Sequence, residues 1–292
     1  MKSTIFDRLY DKRLDDFPEN SWKSIFGIYF AYLGLIFLFA VLFILVSPII
    51  IAMKNITFGL INEVTFSGFF SILSIWLIIT FVGDVRSDDI RLSKSKFKTS
   101  MIVLVCVWLV LNLVTWVFYL LAQGSFVLLN DIWADLPSIP IGYFLAHIFA
   151  VGLIEEFVFR GYFLMEITKK MKLRFDGKKR KTAFFLGILI SNAMFSLLHI
   201  PNRIINGTTF LELILNLFLV LGVGVFLSFT YWFTDNIFMA MIFHGLLNYP
   251  MLILAPIFIS PQLMLLIGGS IFLIIWFLIK EKLMKKGDSE AS

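Results

Sequence analysis

The residues of this chain most able to do chemistry lie inside stretches that are otherwise hydrocarbon. Glu155, Glu156 and Arg160 share one apolar run, Phe195 and His199 the next, and His244 and Asn248 a later one. An ionisable side chain at the centre of a bilayer costs about 2.5–3.5 kcal/mol on insertion scales. A set of them on three apolar runs therefore points to one buried reaction site. On a helix, Glu156 and Arg160 share a face, with the acid first, the better order for an ion pair. Glu155 is turned about 100° away and has no partner close in sequence. A carboxylate left alone in apolar surroundings is a candidate general base. His199 shares a face with Phe195, and Asn192 lies one heptad earlier on nearly the same stripe. His244 and Asn248 project to one side of their helix, where two hydrogen-bond donors suit a developing oxyanion. Each pattern alone also reads as structure: a salt bridge at a watery rim, or a polar group bonding a neighbouring helix. Their joint occurrence favours chemistry, because two of the three histidines fall in these patterns. The third, His147, lies roughly 12 Å along the helix axis from Glu155. That is too far to touch the same reacting atoms, and it reads as interfacial or structural.

What must position these residues is a membrane bundle. Hydrophobic residues make up 59% of the 292 positions and charged ones 15%, with 34 Phe, more apolar surface than a soluble domain can hide. At about 20 apolar residues per crossing, eight segments qualify: 25–51, 64–82, 101–122, 141–165, 183–200, 210–233, 237–254 and 263–279. The fold expected is all-α, a polytopic bundle of about eight transmembrane helices. Residues 1–24 precede it, 25–280 form the membrane domain, and 281–292 are a tail. On this ladder 22 of the 25 Lys and Arg fall on one side, with Lys54 and Arg203 on the other. By the positive-inside rule both termini are cytoplasmic. The basic charge is then a topology signal that also favours anionic lipid, and nucleic acid is not a partner. No cleavable signal peptide is evident, since the first apolar run is too long for one. Ahead of it, Ile5, Phe6, Leu9, Tyr10, Leu14 and Phe17 fall near helical spacing among charges, which suggests a helix lying on the membrane surface. Cys106, the lone cysteine, has no histidine nearby to activate it and reads as lipid-facing or packing. One tension remains in this ladder. If the fifth span runs 183–200, His199 sits near its outer end while Glu155 sits closer to mid-membrane. A shared site needs the fifth helix to be sunk or tilted, or to start nearer Lys178.

The ordered motifs Glu155-Glu156-Phe157-Val158-Phe159-Arg160, Phe195-Ser196-Leu197-Leu198-His199 and His244-Gly245-Leu246-Leu247-Asn248 resemble those of the CPBP family of intramembrane proteases. This family comprises CAAX proteases and bacteriocin-processing enzymes and is also called the Abi family. The resemblance covers about 141–250; the first half of the chain shares only the hydropathy. It implies an endopeptidase that cuts a membrane-associated protein or peptide. By it, Glu155 would activate water with help from His199, His244 and Asn248 would bind the oxyanion, and Glu156 with Arg160 would set the geometry. The family has been described both as zinc enzymes and as metal-free glutamate proteases. A zinc ion would take Glu155, His199 and His244 with water as fourth ligand. The sequence has no His-x-x-x-His or His-Glu-x-x-His pair, and a metal would leave only the Arg-paired Glu156 as base, so no cofactor is favoured. The Lys, Phe and Ile bias suggests an AT-rich bacterial genome and hence a bacterial plasma membrane. Bacteriocin immunity or maturation of a peptide signal is then preferred over prenylated substrates. A proton-coupled transporter is an alternative, since buried Glu and His also make proton relays. It would more often show two related halves, whereas here the buried charge falls in the second. A non-catalytic membrane scaffold or regulator is the other, and it has no use for a lone Glu155.

Overall fold

The computed structural model describes residue 10 and residues 13–86, 89–90, 92–123, 129–134, 136–175, 179–255 and 260–290. Among these the chain is a helical bundle, and the only β pairing is an isolated bridge between Leu129 and Leu254. The helices are α1 (Trp22–Ile56), α2 (Glu63–Gly83), α3 (Lys94–Gln123), α4 (Ser138–Arg174), α5 (Arg180–Leu197), α6 (Ile200–Ile205), α7 (Phe210–Thr234), α8 (Ile237–Asn248) and α9 (Pro261–Glu290). Their starts follow from local chemistry. Ser21, Asn62 and Asn236 each cap the helix they precede, and Thr209 with Glu212 forms a capping box at α7, which satisfies N–H groups that have no partner inside a helix. The ends of α2 and α7 are set by Asp84 and Asp235, both in the left-handed region.

Among the described residues seven helices are long and apolar enough to cross a membrane. The seventh expected segment, 237–254, is helical only over Ile237–Asn248. α8 stops at Asn248 because Tyr249 precedes Pro250, whose ring disfavours helical geometry in the residue before it, and Tyr249 is extended. Twelve residues reach about 18 Å, short of a ~30 Å hydrocarbon core. Instead α8 is buried almost end to end between α4, α3 and α7.

One end of the bundle gathers the basic residues. Arg13 and Lys96 reach Asp235 in the α7–α8 turn at 2.6 and 3.0 Å. Lys170 pairs with Glu19 and Lys172 with Asp15, each at 2.7 Å, and Lys280 near the end of α9 bonds the Phe233 carbonyl. At the other end Lys54 pairs with Glu63 and bonds Tyr143. The N-terminal segment differs from the surface helix expected of it. Tyr10, Leu14 and Phe17 are at most 2% exposed, and Tyr10 packs on Phe184 and Trp232. The apolar spacing that suggests a lipid face is matched to the protein's own α5 and α7. Ile5, Phe6 and Leu9 lie outside the described residues. Cys106 is exposed on α3, as a lipid-facing residue would be.

The tension over His199 resolves through helix length. α4 runs on to Arg174 and α5 starts at Arg180, so the pair forms a long hairpin. Nineteen residues separate Glu155 from Arg174, and nineteen separate Arg180 from His199, about 28 Å in each arm. The two residues therefore stand level. Gly187 permits this close approach, since a Cβ there would lie 2.1 Å from the Thr168 hydroxyl and 2.9 Å from its Cα.

Candidate active site

α4 carries the acidic motif on an unusual backbone. Leu153–Glu156 form one α-helical turn between two π-helical stretches, His147–Gly152 and Phe157–Phe163. Such wide turns cluster at functional sites because they rotate side chains off the regular helical register. Arg160 and Glu156 still meet, at 2.9 Å, and both side chains are fully buried. The Nη2 of the guanidinium donates to the Asn192 Oδ1 at 3.1 Å and to the Gly224 carbonyl at 2.9 Å, and the group lies 4.8 Å from the Phe195 ring centre. Asn192 in turn donates to the Ile188 carbonyl and to Ser228. α4, α5 and α7 are thus joined by one buried polar network, the form in which charge survives in an apolar interior.

Glu156 has a second partner. Its Oε1 lies 2.7 Å from Nδ1 of His244, whose Nε2 lies 3.4 Å from Oε2 of Glu155. One carboxylate oxygen of Glu156 thus meets both the Arg160 guanidinium and the His244 ring, and the far side of that ring faces Glu155. Glu155 is the one member open to space, its side chain 20% exposed against 4% for His244.

That space is a cavity of about 310 Å³ between α1, α2, α4 and the α5–α6 junction, whose wall includes Tyr32, Ser71, Glu155, Phe159, His199 and Asn202. His199 reaches it because the chain bends there, with Pro201 opening α6, a position where its missing N–H costs nothing. The Nδ1 of His199 is 3.0 Å from the Phe195 carbonyl. A carbonyl cannot donate, so the proton is on Nδ1 and the Nε2 of a neutral ring is a lone-pair acceptor. Phe195 ties the site together, edge-on to His199 at 4.8 Å and to His244 at 6.0 Å.

The sequence motifs therefore converge in part. Glu155 and His199 share the cavity, while His244, Glu156 and Arg160 stand behind Glu155. Asn248 is exposed at the end of α8, and neither it nor His244 lines the cavity, so the expected oxyanion pair is not on its wall. His147 stacks on Tyr249 with ring centres 5.7 Å apart. Among the described residues no three His, Cys, Asp or Glu side chains converge closely enough to hold a metal ion. The set Glu155, His199 and His244 is divided between the cavity wall and the layer behind it, and it does not fit a zinc ion in this arrangement. Sequence reasoning missed Gly224, Ser228 and Tyr32. Nothing local marks them, because Gly224 and Ser228 join the network across helices and Tyr32 reaches the cavity only through the packing of α1.

α8 needs Gly245 to bring His244 to Glu156. A Cβ at this position would lie 2.7 Å from the Ile148 Cα and 3.0 Å from its backbone nitrogen. Gly245→Ala is expected to cost about 1–3 kcal/mol as overpacking, and a lowered thermal midpoint in detergent would register it. An unchanged midpoint would mean that α4 and α8 separate freely.

Residues 137–250, which hold all three motifs, match the family model described as Type II CAAX prenyl endopeptidase Rce1-like. This segment is a CAAX-protease domain. No curated protein and no solved structure matches the chain. The domain is that of an intramembrane endopeptidase, and its substrate is a membrane-associated peptide or protein. With seven helices of crossing length, the CAAX-protease domain sits in a multi-pass membrane protein.

Proposed function

We propose that the chain hydrolyses a peptide bond within the membrane by direct activation of water, without a metal. Glu155 removes the proton from a water held in the cavity, and the lone pair on the Nε2 of His199 is a second acceptor for it. His244 holds Glu155 from behind and passes the proton between Glu155 and itself. Glu156 and Arg160 fix His244 by its Nδ1. The observation that carries this reading is the place of Glu155, a carboxylate that meets the His244–Glu156–Arg160 network on one side and the cavity on the other. The basic end of the bundle, where Arg13, Lys96, Lys170 and Lys172 make their ion pairs, faces the cytoplasm by the positive-inside rule and meets anionic lipid. The substrate we favour is a bacterial membrane peptide, in bacteriocin immunity or peptide-signal maturation. A groove of about 160 Å³ between α1 and α2, lined by Phe39, Leu42, Phe66 and Phe70, shares Ser67 with the cavity and suits an apolar stretch of such a peptide.

The test compares membrane peptides and new N-termini in cells carrying wild type or Glu155→Gln at equal abundance. Termini found only with wild type are expected, and they identify the substrate. Their absence would return the chain to the transporter or scaffold readings. On that substrate, a zinc chelator is expected to leave the purified enzyme's rate unchanged; loss restored by zinc would overturn the metal-free reaction.

A further inference from the structure

Glu155 lies on α4 and His199 just past the end of α5, so a reaction in the cavity they share needs these two helices fixed against each other. Apolar side chains tolerate small slips between helices, whereas a buried polar pair favours one register. α4 and α5 make such a pair through Arg160 and Asn192, which stands seven residues before His199.

The carboxamide of Asn192 has one orientation. It is 1% exposed, and its nitrogen donates to the Ile188 carbonyl at 2.8 Å and to the Ser228 hydroxyl at 2.9 Å. A carbonyl only accepts and a guanidinium only donates, so turning the amide over would oppose like groups on both sides. Its oxygen is therefore aimed at Arg160, 3.1 Å from Nη2. Gly224 on α7 leaves the room this contact needs, since a Cβ there would lie 2.4 Å from the Asn192 Oδ1 and 3.3 Å from the Arg160 Nη2. The neutrality of that oxygen also matters. The Nη1 of Arg160 meets Glu156 at 2.9 Å, and the same Glu156 oxygen lies 2.7 Å from the Nδ1 of His244, whose Nε2 lies 3.4 Å from Glu155. A carboxylate at 192 would draw the guanidinium away from Glu156, because attraction between two full charges is the stronger. An amide occupies the second arm of Arg160 and leaves its charge to Glu156.

We propose that Asn192 is a positioning residue. By holding Arg160 through a neutral oxygen it sets Glu156 and His244 behind Glu155, and by joining α5 to α4 it keeps His199 level with that carboxylate. The inference rests on the hydrolytic reading of Glu155. It places a determinant of the site's geometry on a residue outside the three motifs.

The test uses the full chain in lipid nanodiscs with the substrate found by the Glu155→Gln comparison, with rates taken per folded molecule. Asn192→Asp keeps the shape and adds a charge, and Asn192→Ala removes the contact. Both are expected to lower kcat about 10²-fold, the effect of a displacement near 1 Å at the reacting groups, with KM little changed. Ser191→Ala deletes the neighbouring buried hydroxyl, which bonds the Ile188 carbonyl, and stays close to wild type. Ser228→Ala removes one support of the amide and is expected to lower kcat about 2–10-fold, the worth of one hydrogen bond. This milder change carries the test where an Asn192 variant does not fold. A second readout needs no substrate. The chain has three histidines, so the ring nitrogens of isotope-labelled histidine give a simple NMR spectrum, assigned through His147→Gln and His199→Gln. In the Asn192 variants the His244 signals are expected to move while those of His147 stay. A kcat near that of wild type in a folded Asn192 variant, a change in KM alone, or unmoved His244 signals would overturn the proposal. If wild type and Glu155→Gln yield the same termini, the hydrolytic reading itself falls and this one with it. Cleavage by wild type with unimpaired Asn192 variants removes only the role of Asn192.

Discussion

Glu155→Gln is expected to lower turnover about 10²–10⁴-fold, the range for loss of a positioned general base, while the protein folds as well as wild type. Both halves of this expectation follow from the Nε2 of His244. When His244 donates to Glu156 from Nδ1, its Nε2 presents a lone pair toward residue 155 across 3.4 Å. The amide of a glutamine at 155 can donate to that lone pair, so the contact survives without the shared proton. The amide cannot take a proton from water. The adjacent carboxylate behaves differently. Glu156→Gln removes the charge that balances the fully buried Arg160, so it is expected to lower stability first and turnover as a consequence. Measuring kcat and the thermal midpoint for both variants separates the two roles. Equal losses of stability, or a Glu155→Gln enzyme with turnover close to wild type, would sink the assignment of Glu155 as base.

The ion pair of Glu156 with Arg160 was legible in the sequence because it depends on local spacing. Residues four apart on a helix meet, so the pair of Glu156 with Arg160 could be read directly. The hydrophobic runs likewise gave the helical class, since apolar length is a property of each segment alone. What could not be read depends on how segments pack. The second bond of Glu156 to His244 crosses from α4 to α8, and the Arg160 bonds to Asn192 and Gly224 cross to α5 and α7. Asn192 stood on the right stripe, but its partner could not be named. Tyr10, Leu14 and Phe17 show the same limit, since an apolar face at helical spacing fits lipid and protein equally well. The depth of His199 stayed open in the sequence because hydropathy marks where a helix enters lipid, whereas α4 runs on to Arg174 and α5 begins already at Arg180. Asn248 was placed by spacing on the face of His244, yet Tyr249 and Pro250 end α8 there and leave it exposed.

Arg160→Met should have the largest effect on stability of any single change in the site. The guanidinium is fully buried and satisfies a carboxylate, an amide oxygen and a backbone carbonyl at 2.9, 3.1 and 2.9 Å. Methionine fills much of the volume beside Phe195 but returns none of these bonds. Glu156 would then hold a buried charge with only His244 to answer it, and breaking such a pair from one side costs about 3–5 kcal/mol. A fall in thermal midpoint on the order of 10 °C corresponds to that loss. Arg160→Lys is expected to recover only part of it, since an ammonium cannot fork between three acceptors on three helices. The decisive variant is the double change Arg160→Met with Glu156→Gln. With both charges gone no ion is stranded, and replacing a buried pair whole is often close to neutral. The double variant should therefore melt above Arg160→Met alone, a coupling that independent sites do not show. It should remain inactive, because an amide at 156 does not fix the His244 proton as a carboxylate does. Additive losses would mean that Arg160 and Glu156 act separately. Activity in the double variant would mean that the network behind Glu155 stabilises the fold without serving the reaction.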